Sequence, residues 1–179
     1  MNVSWSHCVI KVRDIEAMTR FYCDTLGFRV ADRGPIMGGD SPEIVFMSGS
    51  SSDHHQMALV ASRGDEEATS LDHNAFRVET VADVKTMFQR VTEDDRVKAA
   101  LPLTHGNAVS VYFADPEGNG IEVFCDTPWH VKQPAGKGWD PSQSDEEILA
   151  HVESIFRDDP EFGPMADYQA KMAKAFGET

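Results

Sequence analysis

The chain has no apolar run near the roughly 18 residues that a membrane-crossing helix needs, so no transmembrane segment is expected. It is short of positive charge. Sixteen Lys and Arg stand against 30 Asp and Glu, a net charge of −14 at neutral pH, which argues against nucleic acid or an anionic membrane surface as a partner. Cysteine is scarce. Cys8, Cys23 and Cys125 are odd in number and lack metal-motif spacing, and they read as reduced thiols in a cytoplasmic protein. The first residues, Met1 to His7, carry neither a basic stretch nor an apolar core, so no signal peptide is expected. What is present is globular. A hydrophobic content of 41% and a charged content of 26% suit a chain that buries a core, and 179 residues are enough for one ordinary domain.

An internal repeat organises the first two thirds of the chain. His7-Cys8-Val9-Ile10-Lys11-Val12 and His73-Asn74-Ala75-Phe76-Arg77-Val78 share the pattern His, any residue, small apolar, large apolar, base, Val, at an offset of 66 residues. After the first copy, Asp14 can cap a helix with Ile15, Met18, Phe21, Tyr22 and Leu26 at helical spacing, and Gly27 fits its end. Strands are predicted over 28–32, 43–47 and 56–60. After the second copy, Thr80 with Asp83 opens a helix to about Thr92. Strands are predicted over 97–101, 109–113 and 121–125, with a turn at Asp115-Pro116-Glu117-Gly118. The fold class is therefore α+β: two βαβββ modules, about 3–62 and 70–126, within a domain spanning 1–126. Residues 127–179 form a C-terminal tail. It holds an irregular arm to Gly138, a helix opened by the capping box Ser144-Asp145-Glu146-Glu147, and a last helix over 164–176.

Side-chain alternation orients the candidate site. Cys8, Ile10 and Val12 make the apolar row that faces the helix, which puts His7 on the other face with Val9 and Lys11. Asn74, Phe76 and Val78 do the same in the second copy and put His73 opposite. Glu122 lies between Ile121 and Val123 and can share that face. Two histidines and a carboxylate brought together by a repeat are the ligand set of a non-haem Fe(II) site with open positions. The offset of 66 also maps Gln56 onto Glu122. Alternation points His54 away from the site.

With these residues the chain resembles the vicinal oxygen chelate superfamily over residues 3–126, whose members pair βαβββ modules around a metal-binding cup. The second module resembles type I extradiol catechol dioxygenases. Their signature is a His, a spacer, an aliphatic-Tyr pair, then a Pro-x-Gly turn leading to a ligand Glu. Here it reads His105, Val111-Tyr112, Pro116-Glu117-Gly118 and Glu122, with Leu103 a small departure. The typical extradiol enzyme has four modules, and this chain has two. The resemblance implies Fe(II) held by His7, His73 and Glu122, a catechol-like substrate and dioxygen as partners, and a homodimer. It marks His55, the second of a His-His pair, as acid and base, with Tyr112 and His105 on the substrate oxygens. The function expected is a ring-cleaving dioxygenase. Its competitors within the superfamily are a glyoxalase- or epimerase-like enzyme with His7, Gln56, His73 and Glu122 as four ligands, and a metal-free ligand-binding resistance protein. The tail is expected to wrap the sheet, cover the pocket mouth or meet a partner subunit.

Overall fold

Both copies of the repeat fold to one local topology. The structure, a computed structural model, describes residues 3–178; Met1, Asn2 and Thr179, on which the expected outer domain limits fall, lie outside the described residues. The chain divides into two compact units: residues through Asp72 with Asp115–Asn119, and His73–Ala114 with the residues from Gly120 onward.

In the first unit β1 (Cys8–Val12) leads to α1 (Ile15–Leu26), then β2 (Arg29–Pro35), β3 (Glu43–Ser48) and β4 (Met57–Ala61). Asp14 is extended and its carboxylate accepts the Ala17 N–H, and the helix stops at Gly27 with φ 77°. Ile15, Met18, Phe21 and Tyr22 are buried, the helical spacing read from the sequence. The sheet order is β1-β4-β3-β2, with β1 parallel to β4 and the other pairs antiparallel. β2 runs three residues beyond the predicted end at 32. The Gly/Pro-rich stretch begins inside the ladder, because Gly34 and Pro35 pair with Ile44 and Glu43. The phenol of Tyr22 donates to Asp115 at 3.0 Å, and Arg13 and Asp14 donate their main-chain N–H groups to Glu117.

The second unit repeats the order with β5 (His73–Arg77), α2 (Val81–Thr92), β6 (Leu101–Thr104), β7 (Ala108–Ala114) and β8 (Gly120–Asp126). Thr80 and Asp83 form the capping box read from the sequence. The strand predicted at 97–101 forms instead at Leu101–Thr104. The Val97 amide closes a turn on the Asp94 carbonyl, and Arg96 grips the Asp94 carboxylate, so that stretch is committed to a turn.

The tail belongs to this second compact unit. The arm predicted as irregular contains β9 (Trp129–His130) and β10 (Lys137–Gly138). β10 adds an edge to β6, giving the order β10-β6-β7-β8-β5. α3 (Asp145–Phe156) starts from the Ser144/Glu147 capping box. β11 (Gly163–Pro164) pairs with β9, and α4 (Met165–Phe176) follows. Val131, Trp139, Ile148, Val152 and Phe156 are buried, so the tail supplies a sizeable share of this unit's core. Among the described residues Cys8, Cys23 and Cys125 form no disulfide, and no helix is long and apolar enough to cross a membrane.

Candidate active site

The parallel pairing of β5 with β8 sets His73 beside Gly120 and Ala75 beside Glu122. His73 is the first residue of its strand and the ring reaches along the face, so its Nε2 lies 3.5 Å from Glu122 Oε2. Glu122 is 7% exposed, between the fully buried Ile121 and nearly buried Val123. A carboxylate at that depth needs donors. One is the Ser110 hydroxyl, which donates to Oε1 at 2.6 Å from the neighbouring strand β7. Tyr112 stands directly across from Glu122 in the β7–β8 ladder, and its ring meets His73 edge-on at 5.4 Å between centroids.

His105 completes this face. Its Nδ1–H donates to the Ala135 carbonyl at 2.5 Å, and a carbonyl can only accept, so in the neutral ring Nε2 carries the lone pair. The Tyr112 hydroxyl donates to that Nε2 at 2.8 Å. Gln133 holds the loop by donating to the His105 carbonyl at 2.8 Å. His105, Tyr112, Glu122, Phe124 and Gln133 line an open cavity of about 270 Å³.

The remaining predicted residues lie in the first unit. His7 precedes β1 by one residue, takes a bond with Ser6 at Nδ1, and its ring stands 4.4 Å from that of His55. Loss of solvent, then the neighbouring His7 and His54, hold the His55 imidazole below its ordinary range. Phe46 packs on His55 at 4.9 Å. The His-His pair precedes β4, which begins at Met57, so strand alternation does not govern it. The His54 and His55 Nδ1 atoms are 2.9 Å apart, and His54 Nε2 bonds Asp32 at 2.8 Å.

The mapping of Gln56 onto Glu122 also changes. Val9 pairs with Ala58 in β1–β4, and Ala75, its counterpart at an offset of 66, pairs with Glu122 in β5–β8. With the first strands equated, the counterpart of Glu122 is Ala58, two residues beyond Gln56. The Gln56 amide serves its own loop, accepting from Gly49 N–H at 3.0 Å and donating to Asp53 at 3.1 Å.

The expected ligands thus divide between the units, His7 in the first and His73 with Glu122 in the second. Within either unit, among the described residues, no three His, Cys, Asp or Glu side chains form a group that could hold a metal ion. The donor chemistry of the second unit fits a divalent cation in part: a buried carboxylate with one oxygen beside an imidazole nitrogen.

Residues 4–123 match the sequence profile of the Glyoxalase/Bleomycin resistance protein/Dioxygenase superfamily. The chain belongs to that superfamily. Within it, the chain is 28% identical over 127 residues to biphenyl-2,3-diol 1,2-dioxygenase 3 of Rhodococcus globerulus, a match covering 68% of this chain and 62% of that one. It is 25% identical over 123 residues to a probable lactoylglutathione lyase of Synechocystis, covering 66% and 92%. The fold resembles the fosfomycin resistance protein FosX of Listeria monocytogenes, a structure complexed with Mn(II) and sulfate, at a TM-score of 0.56 and 18% identity, covering 71% of this chain and 95% of the other. This superfamily therefore holds relatives of different activity, and the site has to decide among them.

Ser110, Gln133 and the Ala135 carbonyl are site residues that sequence reasoning missed. Ser110 had a signal, since it shares a face of β7 with Tyr112 at period two. The Ala135 carbonyl had none, because main-chain acceptors leave no mark in a sequence.

Proposed function

We propose that the protein is an Fe(II)-dependent extradiol-type dioxygenase that opens the ring of a catechol-like diol. The observation that carries the reading is the face built by Glu122, His73, Tyr112 and His105. It offers a buried carboxylate beside an imidazole, next to a phenol whose hydroxyl is oriented by His105. The 28% identity to a biphenyl-diol dioxygenase supports it. So does the engagement of Gln56 in its own loop, which removes the fourth ligand that a glyoxalase-like site would use.

In this reading His7, His73 and Glu122 would hold the iron. Fe(II), when bound, would supply positive charge that favours the deprotonated diol and would bring diol and dioxygen together. The protein's residues place and move protons. One substrate hydroxyl donates to the Tyr112 oxygen, whose own proton is committed to His105 Nε2. His55, held below its ordinary range and so neutral near pH 7 (about 6.5 being usual), takes a substrate proton and later returns it. Glu122 keeps one oxygen on the Ser110 hydroxyl and presents the other toward His73.

The test is metal analysis of protein purified without air, followed by oxygen uptake with a panel of catechols. Iron should be bound, with one dioxygen consumed per ring opened. Replacing His7, His73 or Glu122 by Ala should each remove most of the iron, because three ligands leave no spare. Protein that binds zinc or nickel, ignores catechols and isomerises a thiohemiacetal would refute the reading.

A further inference from the structure

We infer that Asp32 and His54 act as a positioning relay that fixes the tautomer of His55, keeping the proton on Nδ1 and leaving Nε2 as the free base. The inference rests on the reading of His55 as acid and base, and it follows from the direction of two hydrogen bonds. Asp32 Oδ2 lies 2.8 Å from His54 Nε2. An ionised carboxylate only accepts, so His54 Nε2 carries the proton. A neutral imidazole has one N–H, which leaves His54 Nδ1 bare. The 2.9 Å bond between the two Nδ1 atoms then needs its proton from His55. The only lone pair left on the His55 ring is at Nε2.

The fold makes a specific provision for Asp32. In β2–β3, Val30 pairs with Met47 but Asp32 pairs with Phe46, a register shift that leaves Ala31 as the extra residue of a bulge. An unbulged ladder would pair Ala31 with Phe46 and turn Asp32 to the other face of the sheet. With the bulge, Asp32 comes to the side where Phe46 packs at 6.1 Å from the His54 ring and 4.9 Å from the His55 ring. The two imidazoles stand nearly perpendicular, at 87°, as a single in-plane N–H···N bond between adjacent residues allows. Side-chain exposures of 70% for Asp32 and 60% for His54 leave both bonds open to water. The relay therefore orients a base and contributes little to stability.

The tautomer can be read without any turnover. Two-bond ¹⁵N–¹H correlation spectra of the chelator-treated protein are recorded near pH 8, above the usual histidine range of about 6.5. His55 is assigned by the signals that vanish in His55→Ala. Wild-type His55 should show a protonated Nδ1 and a pyridine-type Nε2. Asp32→Ala and His54→Ala should move the proton toward Nε2 with unchanged melting temperature. His54→Gln should keep the wild-type pattern, because an amide N–H can donate to Asp32 while the amide oxygen accepts from His55. Catechol turnover should fall by roughly 10-fold in the two alanine variants and recover in His54→Gln, the lower end of what losing a histidine's orienting partner costs. A proton on Nε2 in the wild type, or a tautomer indifferent to Asp32→Ala, overturns the relay. A wild-type protein with the stated tautomer and no ring cleavage keeps the relay and refutes the dioxygenase reading instead.

Discussion

The Ser110 hydroxyl donates to Glu122 Oε1 at 2.6 Å, from the same-face diagonal position two residues along the β7–β8 ladder. The bond fixes which carboxylate oxygen remains for His73, whose Nε2 lies 3.5 Å from Oε2. Ser110→Ala should free the carboxylate to rotate and leave a buried acceptor short of a donor. The expected cost is about 1–3 kcal/mol in stability. Affinity for the bound divalent metal should fall by roughly 10–100-fold, as when a partner that orients a ligand is removed. Calorimetric metal titration of wild type and variant checks this, and equal affinities would remove Ser110 from the site.

Gly106 tests the attachment of the tail. Its φ is +80°, and a Cβ built there would meet Val131 Cγ2 at 2.3 Å and Phe156 Cγ at 3.2 Å. Val131 and Phe156 are both fully buried, so neither can move aside without opening the core. The Gly106 carbonyl also accepts the Thr127 hydroxyl at 2.5 Å. Gly106→Ala should destabilise the second unit by about 2–4 kcal/mol, adding overpacking to the cost of a left-handed backbone. It should also loosen the arm that brings the Ala135 carbonyl to His105. Denaturant unfolding and limited proteolysis of the tail measure the effect. An unchanged midpoint with an equally protected tail would mean the arm does not depend on this contact.

The parts that were legible in the sequence share one property: they depend on periodicity and caps. α1 and α2 begin at the caps read from Asp14 and Thr80, and the burial of Ile10, Val12 and Ile121 follows strand alternation. Alternation also placed His73 on the face it shares with Glu122. The errors arose where register or loop chemistry decides. An offset of 66 cannot see that β1–β4 and β5–β8 pair with a two-residue difference, so Gln56 was equated with Glu122 where Ala58 belongs. His54 was oriented as a strand residue although the strand starts three residues later, at Met57. The β6 shift came from the turn at Asp94 and Val97, and the arm's two short strands from pairing with partners distant in sequence. Long-range pairing of two-residue strands has no periodic signature to read.

Tyr22 and Asp115 give a pH dependence with a definite sign. Tyr22 is fully buried and its hydroxyl donates to Asp115 Oδ2 at 3.0 Å. Burial, then the Asp115 charge and the hydrogen bond to it, raise the phenol well above its ordinary value of 10.0. Above about pH 10 the unfolded chain loses this proton while the folded chain keeps it, so the unfolded state binds fewer protons and stability falls with rising pH. The stabilisation is fully present below that pH and is lost on the way up to the folded-state value. The expected slope from this residue is about 1.4 kcal/mol per pH unit. Tyr22→Phe should cost about 1 kcal/mol near neutrality, where one hydrogen bond is lost; the Asn119 amide still donates to Asp115 Oδ2 at 2.7 Å. In the alkaline range the variant should lose stability less steeply, so the two unfolding curves converge as pH rises. Urea midpoints at a series of pH values between about 8 and 11 measure both slopes. Parallel slopes for wild type and Tyr22→Phe would show that the phenol proton does not link to folding of this unit.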